Sequence, residues 1–521
     1  MTTEASPRGE TAYAETDRYK RPWYWYDWAN SAFVTTVGTV LFAPYLTTVA
    51  KKAACPTQDA DARCSVDLHV VPAAATLPGW VWKLALALTL VGLLALVANV
   101  VALIRARSAP LPSGLPLAAA AVGAVALVLT APLDPGSVAS YTVTLSTILS
   151  AVLLVFVGAI TDRTPRPARL LGLFAWTGSL AAALMFFLDG QNWRYGAALM
   201  ILATIALGAS LVVYDAILVR IASPDERDAV SSKGWALGYL GGGLLLAANL
   251  VIVSKPDLIG GDTATAVRIS LLSAGLWWGI FTTIPVRGMW NLRGAEIPRT
   301  DAPQAGIVRG SWAQLGHTFR DMRAFPQTML FLLAYLFFND GIQTVISSSS
   351  LYGAEQLGFA QSQLIALILL VQFVAFGGAL LFGRLARSFG AWRTILGSLV
   401  AWSLIVVAAF FVPAKAFIPF VALGVLIGIV LGGSQALSRS LFSQLVPKSR
   451  EAEFFAFYQA MERGTSWFGT LLFGLVHQLT DSYRPAIVAL IIFFVLGFVL
   501  LRKVDVRQGI RDAGNEVPAV V

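Results

Sequence analysis

The chain has 521 residues, of which 57% are hydrophobic and 13% charged, a balance that excludes an ordinary soluble domain and reads as a polytopic membrane protein. The net charge of +9 is read as the Lys and Arg bias of short cytoplasmic loops and an affinity for an anionic inner leaflet, not as nucleic-acid binding. His69, His317 and His477 lack metal-ligand spacing, and no phosphate-binding loop, zinc-protease or hydrolase-elbow motif is present. No metal or cofactor is therefore expected, nor an ATP-driven pump or a conventional hydrolase.

Residues 1 to 22 are polar, lack the apolar core of a signal peptide, and are expected to be a disordered cytoplasmic tail. The first span lies at about 24 to 49, within WYWYDWANSAFVTTVGTVLFAPYL (Trp23 to Leu46), and carries Asp27 and Asn30 on one helical face. A carboxylate within the hydrocarbon costs about 2.5 to 3.5 kcal/mol on insertion scales and so marks a pathway or a partner. A helix cap in the headgroup zone is the competing reading. The polar loop 50 to 79 follows, with the chain's two cysteines. It falls outside the membrane by the loop charges, so Cys55 and Cys64 are expected to form an external disulfide. Two free thiols is the alternative.

Further apolar runs of spanning length occur at 80 to 104, 115 to 132, 140 to 161, 170 to 188, 196 to 219, 234 to 254, 269 to 286, 328 to 350, 362 to 383, 394 to 412, 416 to 437, 455 to 477 and 485 to 501. Together they make fourteen spans. Placing the N-terminus inside puts most of the 38 Lys and Arg residues on the cytoplasmic side, and both termini with them.

The chain reads as a tandem duplication. The ends of two spans, at Asp162 and Arg387, share one design and lie 225 residues apart (162 to 387), and Pro224 and Pro447 repeat at 223. Asp27 finds its counterpart in Asp340 of FFNDG at an offset of 313. The excess places an inserted loop and two-helix hairpin at 50 to 138 inside a twelve-helix plan. The domains expected are the tail 1–22, an N-terminal bundle 23–286 that includes the insertion, a cytoplasmic linker 287–327, a C-terminal bundle 328–502 and a cytoplasmic tail 503–521.

The run from Gly158 to Arg169 (GAITDRTPRPAR) resembles the loop motif of the major facilitator superfamily, with Pro165 where Gly is usual. The resemblance implies that Asp162, Arg163 and Arg166 act as a gate latching the interface between half-domains, with Asp162 pairing across to basic residues. YDWAN (26–30), YDA (214–216), GWALGYLGG (234–242), YLFFNDGIQT (335–344) and GGSQALSRSLFS (432–443) with Pro447-Lys448 resemble the bacterial branch of the vacuole-effluxer-like transporters. That family is named for a fungal autophagy-related vacuolar amino-acid exporter. The resemblance implies an all-α major facilitator fold of two six-helix bundles, here with the inserted hairpin, and a small amino acid as substrate.

Among the other polar residues in spans, Asp215 lies about a turn before Arg220 and reads either as an interfacial ion pair or as a gate. Gln435 and Arg439 are i, i+4 neighbours, with Arg439 expected to snorkel to the interface and Gln435 to face the cavity. Glu462 and Arg463 sit mid-helix and point about 100° apart, so each needs another partner. Arg463 is a candidate for a substrate carboxylate, and a structural pair with Asp27 or Asp340 is the alternative. The glycines from Gly238 to Gly243 read as helix-packing positions.

These residues support a monomeric secondary active transporter in a bacterial plasma membrane, alternating access to a central cavity. Asp27, Asn30, Asn339, Asp340, Gln343, Gln435, Glu462 and Arg463 would line the path of a small solute and of protons. Asp162, Arg163, Arg166, Asp215 and Arg439 would gate it. Asp27 and Asp340 are expected to face each other across one cavity. An exporter of lipids or drugs, a membrane enzyme on lipid-linked substrates and a non-transporting sensor are the rivals.

Overall fold

The computed structural model describes residues 16–56, 66–105, 114–293, 324–464 and 467–521. The helices are α1 (Asp17–Ala54), α2 (Trp80–Arg105), α3 (Gly114–Thr130), α4 (Pro135–Asp162), α5 (Pro167–Phe187), α6 (Trp193–Ile221), α7 (Pro224–Ser254), α8 (Thr263–Gly288), α9 (Pro326–Gln356), α10 (Gln361–Phe389), α11 (Ala391–Phe411), α12 (Phe417–Gln444), α13 (Glu451–Gly464), α14 (Trp467–Thr480), α15 (Tyr483–Arg502) and α16 (Val506–Asp512). Helices are what such apolar runs must form in lipid, where every backbone polar group has to be satisfied within the segment. Proline in the first turn opens α5, α7 and α9, where its missing N–H costs nothing. Gly390, at φ +84, ends α10.

Among the described residues, eleven helices are long and apolar enough to cross a bilayer. The three remaining expected spans correspond to α2, α3 and the pair α13 and α14. α13 and α14 have 14 residues each, each too short to span alone, and 465–466 between them lie outside the described residues. α1 begins inside the stretch expected as a tail, and residues 1–15 lie outside the described set, as do residues 294–323 of the linker. The tail 503–521 contains α16, whose Ile510 is fully buried.

The described chain separates into two compact units. The first holds α1 to Phe42, α4 from Thr144, α5, α6 from Leu199, and everything from α7 onward. By chain order α1, α4, α5, α6, α7 and α8 are taken as the first bundle and α9 to α15 as the second. The glycines of α7 bring it onto α1: a Cβ at Gly238 would stand 2.7 Å from Ser31 Oγ, and one at Gly241 2.9 Å from the Trp28 ring. That is the small-residue packing expected for this run. In the second bundle α12 meets α10 as closely, a Cβ at Gly432 falling 2.2 Å from Ala375 O. Within α1 the winding becomes π-helical over Phe33–Leu41, one turn beyond Asp27 and Asn30, a feature frequent near functional sites.

The second unit consists of Ala43–Val143 and Phe187–Ala198. Its α2 and α3 form a hairpin with small residues at the seam: a Cβ at Gly92 would lie 2.5 Å from Ala120 N. Leu68 bridges to Leu133, and the Arg194 guanidinium donates to His69 O at 2.7 Å. No cysteine among the described residues is free, and Cys64 lies outside them. Linked Cys55 and Cys64 peptides are expected in mass spectra of the non-reduced protein. Alkylated thiols at both positions would reject the pairing.

Candidate functional site

The site is centred on Arg439, carried by α12 and only 2% exposed. Its Nη2 donates to Asp27 Oδ2 at 3.0 Å and its Nη1 to Asp215 Oδ1 at 3.4 Å. Nε donates to Ser231 Oγ at 2.9 Å and Nη2 to Ser231 O at 3.1 Å. The guanidinium carbon lies 5.0, 5.3 and 5.4 Å from the rings of Trp23, Tyr214 and Trp235, within cation–π range. Tyr214 hydroxyl donates to Asp27 Oδ2 at 2.8 Å, its ring stacks on Trp23 at 4.2 Å, and Trp23 Nε1 donates to Tyr214 O at 3.0 Å. Room for the cluster comes from Gly234, where a Cβ would stand 2.6 Å from Asp27 Oδ2 and 3.1 Å from Arg439 Nη2. Arg439 belongs to the second bundle, and every partner named belongs to the first. The arrangement is thus an ion cluster that ties the two bundles together.

This corrects two expectations. Arg439 does not snorkel, because two buried carboxylates and a backbone carbonyl draw its head inward, where leaving them would strand charge. Asp215 does not pair with Arg220, which instead lies 3.7 Å from Glu451 Oε2.

Next to the cluster runs a chain of amides. Gln459 Nε2 donates to Asp215 Oδ2 at 2.9 Å and Glu462 Oε2 at 3.3 Å, Asn339 Nδ2 donates to Glu462 O at 3.3 Å, and Gln435 Nε2 to Asn339 Oδ1 at 2.9 Å. Glu462, Arg463 and Gln343 are half-buried. Gln435 Oε1, Gln459 Oε1, Thr344 Oγ1 and Asp340 Oδ1 are buried without a hydrogen-bond partner among the described residues. Unmet buried polar atoms are rare in folded proteins and call for water or a ligand. Asp340 Oδ2 accepts from Gly469 N at 2.8 Å, so this carboxylate turns toward α14 of its own bundle. Asp27 and Asp340 therefore share no hydrogen-bond partner: Asp27 accepts from Arg439 of the other bundle, Asp340 from an amide of its own. Asn30 Nδ2 folds back on Tyr26 O at 2.7 Å.

The latch residues lie nearer the helix ends. Asp162 accepts from the amides of Ala452 and Glu453, both at 2.9 Å, and so caps the start of α13 across the bundle interface. The expected basic partner is replaced by a helix N-terminus, whose unpaired N–H groups and dipole favour a carboxylate. Gly158 allows the approach, since a Cβ there would lie 2.7 Å from Ala452 O. Arg163 and Arg166 are exposed. Arg227, buried at the start of α7, donates to Ser443 O at 2.9 Å and Gln444 Oε1 at 3.1 Å. Gln444 Nε2 returns a bond to Pro224 O at 2.7 Å. Sequence reasoning missed Ser231, Gly234, Arg227 and Gln459. For Gln459 a signal existed, its i, i+3 spacing to Glu462.

The family model described as "Vacuole effluxer Atg22 like" matches residues 16–514. The chain is 30% identical over 382 residues to the uncharacterized MFS-type transporter YxiO of Bacillus subtilis, covering 73% of this chain and 87% of that protein. It is 26% identical over 466 residues to autophagy-related protein 22-1 of Penicillium rubens, covering 74% and 77%. Among solved structures, the human organic anion transporter MFSD10 (TETRAN) superposes with a TM-score of 0.56 at 11% identity, covering 93% of this chain and 99% of that one. The proton:xylose symporter XylE gives 0.55 at 11% identity, covering 95% and 96%. At such identities the likeness speaks for the fold alone, and that fold is the major facilitator fold. The chain belongs to the Atg22-like vacuole effluxer family and is an integral membrane transporter.

Proposed function

We propose that the protein is a secondary active transporter of a small amino acid, working as a monomer by alternating access in a bacterial plasma membrane with both termini cytoplasmic. The observation that carries the reading is the Arg439 cluster: a buried cation from one bundle held by Asp27 and Asp215 of the other. A permanent structural cross-tie of this kind is weak evidence of stability, because desolvation offsets most of its Coulomb energy. A tie that must break and reform in each cycle gives it a use. With Asp162 on α13 and Arg227 on α12, it closes the end of the bundles that bears Arg163, Arg166, Arg384 and Arg387, the end assigned to the cytoplasm by its basic residues.

The half-buried Glu462 and Arg463, with the unmatched amide oxygens of Gln435 and Gln459, line the solute's path. An amino acid offers a carboxylate for Arg463 and donors for those oxygens. Two carboxylates share one guanidinium, so one of them can take up and release the coupled proton while the other holds Arg439. Proteoliposomes challenged with a panel of amino acids, with and without a pH gradient, test the reading. At least one small neutral amino acid is expected to accumulate several-fold more with the gradient than without. Absence of uptake and exchange for the whole panel, in protein shown to be folded and inserted, overturns it.

A further inference from the structure

We infer that the pocket enclosed by Asp27, Asp215, Trp23, Tyr214 and Trp235 is a cation site used twice in the cycle: by the Arg439 guanidinium when the bundles are closed, and by the ammonium or guanidinium group of a solute when they part. Two carboxylates and three aromatic faces are the chemistry that selects an organic cation over a neutral molecule or an anion. All five residues belong to the first bundle, and most of what holds them does not involve Arg439. Trp23 bonds and stacks on Tyr214, and Tyr214 bonds Asp27, through contacts of α1 and α6 alone. The Trp23, Tyr214 and Asp27 side of the pocket is therefore preorganised and persists when α12 withdraws, while Asp215 gives up its bonds to Arg439 and Gln459 as the bundles part.

Withdrawal is the step that needs a substitute. Arg439 enters on the opposite bundle, so rocking that separates α12 from α1, α6 and α7 removes the guanidinium and leaves two carboxylates in an aromatic enclosure. Uncompensated, that state is strongly disfavoured. A solute cation that takes the vacated place restores the charge, and because it binds only the parted state it shifts the population toward opening. The solute thus displaces an internal copy of its own charged group, which makes opening conditional on loading from the side that bears this gate. The inference rests on the transport reading for its place in the cycle, but the site can be tested by binding without transport.

Arg439→Ala, purified as the full chain, empties the pocket and invites methylguanidinium as probe, with uncharged methylurea as its control. Millimolar methylguanidinium is expected to raise the unfolding midpoint of the variant by about 3 °C, with no effect from methylurea and no effect of either in Arg439→Ala combined with Asp27→Asn. An equal response to both compounds, or none to methylguanidinium, overturns the inference. If neither Arg439→Ala nor Arg439→Gln folds, the wild-type chain decides. There methylguanidinium competes with Arg439, and deuterium uptake over residues 431–444 of α12 is expected to rise about two-fold over the methylurea control. Unchanged uptake overturns the inference, whereas failure of the amino-acid panel alone bears on the transport reading and leaves this site standing.

Discussion

Arg439→Met is expected to lose driven uptake and about 3 to 5 kcal/mol of stability, the usual loss when one partner of a buried ion pair is removed and the other is left. The side chain gives up bonds to Asp27, Asp215 and Ser231 and a seat among three rings. Methionine keeps much of the volume, so the loss reports charge more than a cavity. Arg439→Met combined with Asp27→Asn and Asp215→Asn removes the stranded carboxylates and is expected to recover most of the stability, because a neutral hydrogen-bonded core can equal a buried ion cluster. Driven uptake should stay lost, since the cluster then has no carboxylate to titrate and no cation to lock the bundles. Thermal unfolding and pH-driven uptake of the three proteins, wild type included, check both halves. A triple variant as unstable as the single one would assign Arg439 to packing. Uptake within about tenfold of wild type in Arg439→Met would remove the cluster from the cycle, being smaller than the usual effect of losing a proton-transfer or gating group.

Much of the fold was legible because lipid leaves few choices. Apolar length, loop charge and the repeat offsets placed α1 and α4 to α12, and Asp27, Asn30, Asp215, Asn339, Asp340 and Arg439, all buried, stood out by their cost, whereas Arg227 did not. The partners were not legible. Asp27 lies 412 residues from Arg439 in sequence, and the tandem symmetry suggested pairing Asp27 with its repeat equivalent Asp340. The two copies have diverged: the first faces the other bundle and the second caps an amide of its own. Periodicity shows which face a residue is on, but not which of several neighbouring helices that face meets. Gly234 shows the same limit from the other side. It lies outside the run of glycines read as packing positions, and only its distance to Asp27 and Arg439 shows that it makes room for an ion cluster.

Asp162→Ala is expected to weaken closure by about 1 to 3 kcal/mol, the combined worth of a helix cap and a carboxylate at a helix N-terminus. Both carboxylate oxygens are committed to α13, one to Ala452 N and one to Glu453 N, so no water-exposed acceptor replaces them in the closed state. In the parted state the same amides face solvent and the substitution costs nothing. The whole penalty therefore falls on one state, and the ratio of closed to parted molecules drops about 5- to 150-fold. Asp162→Asn keeps one acceptor oxygen and should lose about half as much. Gly158→Val tests the same closure without touching the carboxylate, since its Cβ would meet Ala452 O at 2.7 Å and Glu453 Cα at 2.9 Å, contacts that only separation of α4 and α13 relieves. Distance distributions between spin labels at the facing ends of α4 and α13 are expected to broaden toward longer separations in all three variants. Arg220→Gln should leave them near wild type, its contact with Glu451 being a long one at 3.7 Å. Unchanged distributions in both Asp162→Ala and Gly158→Val would mean that this contact follows closure rather than holding it.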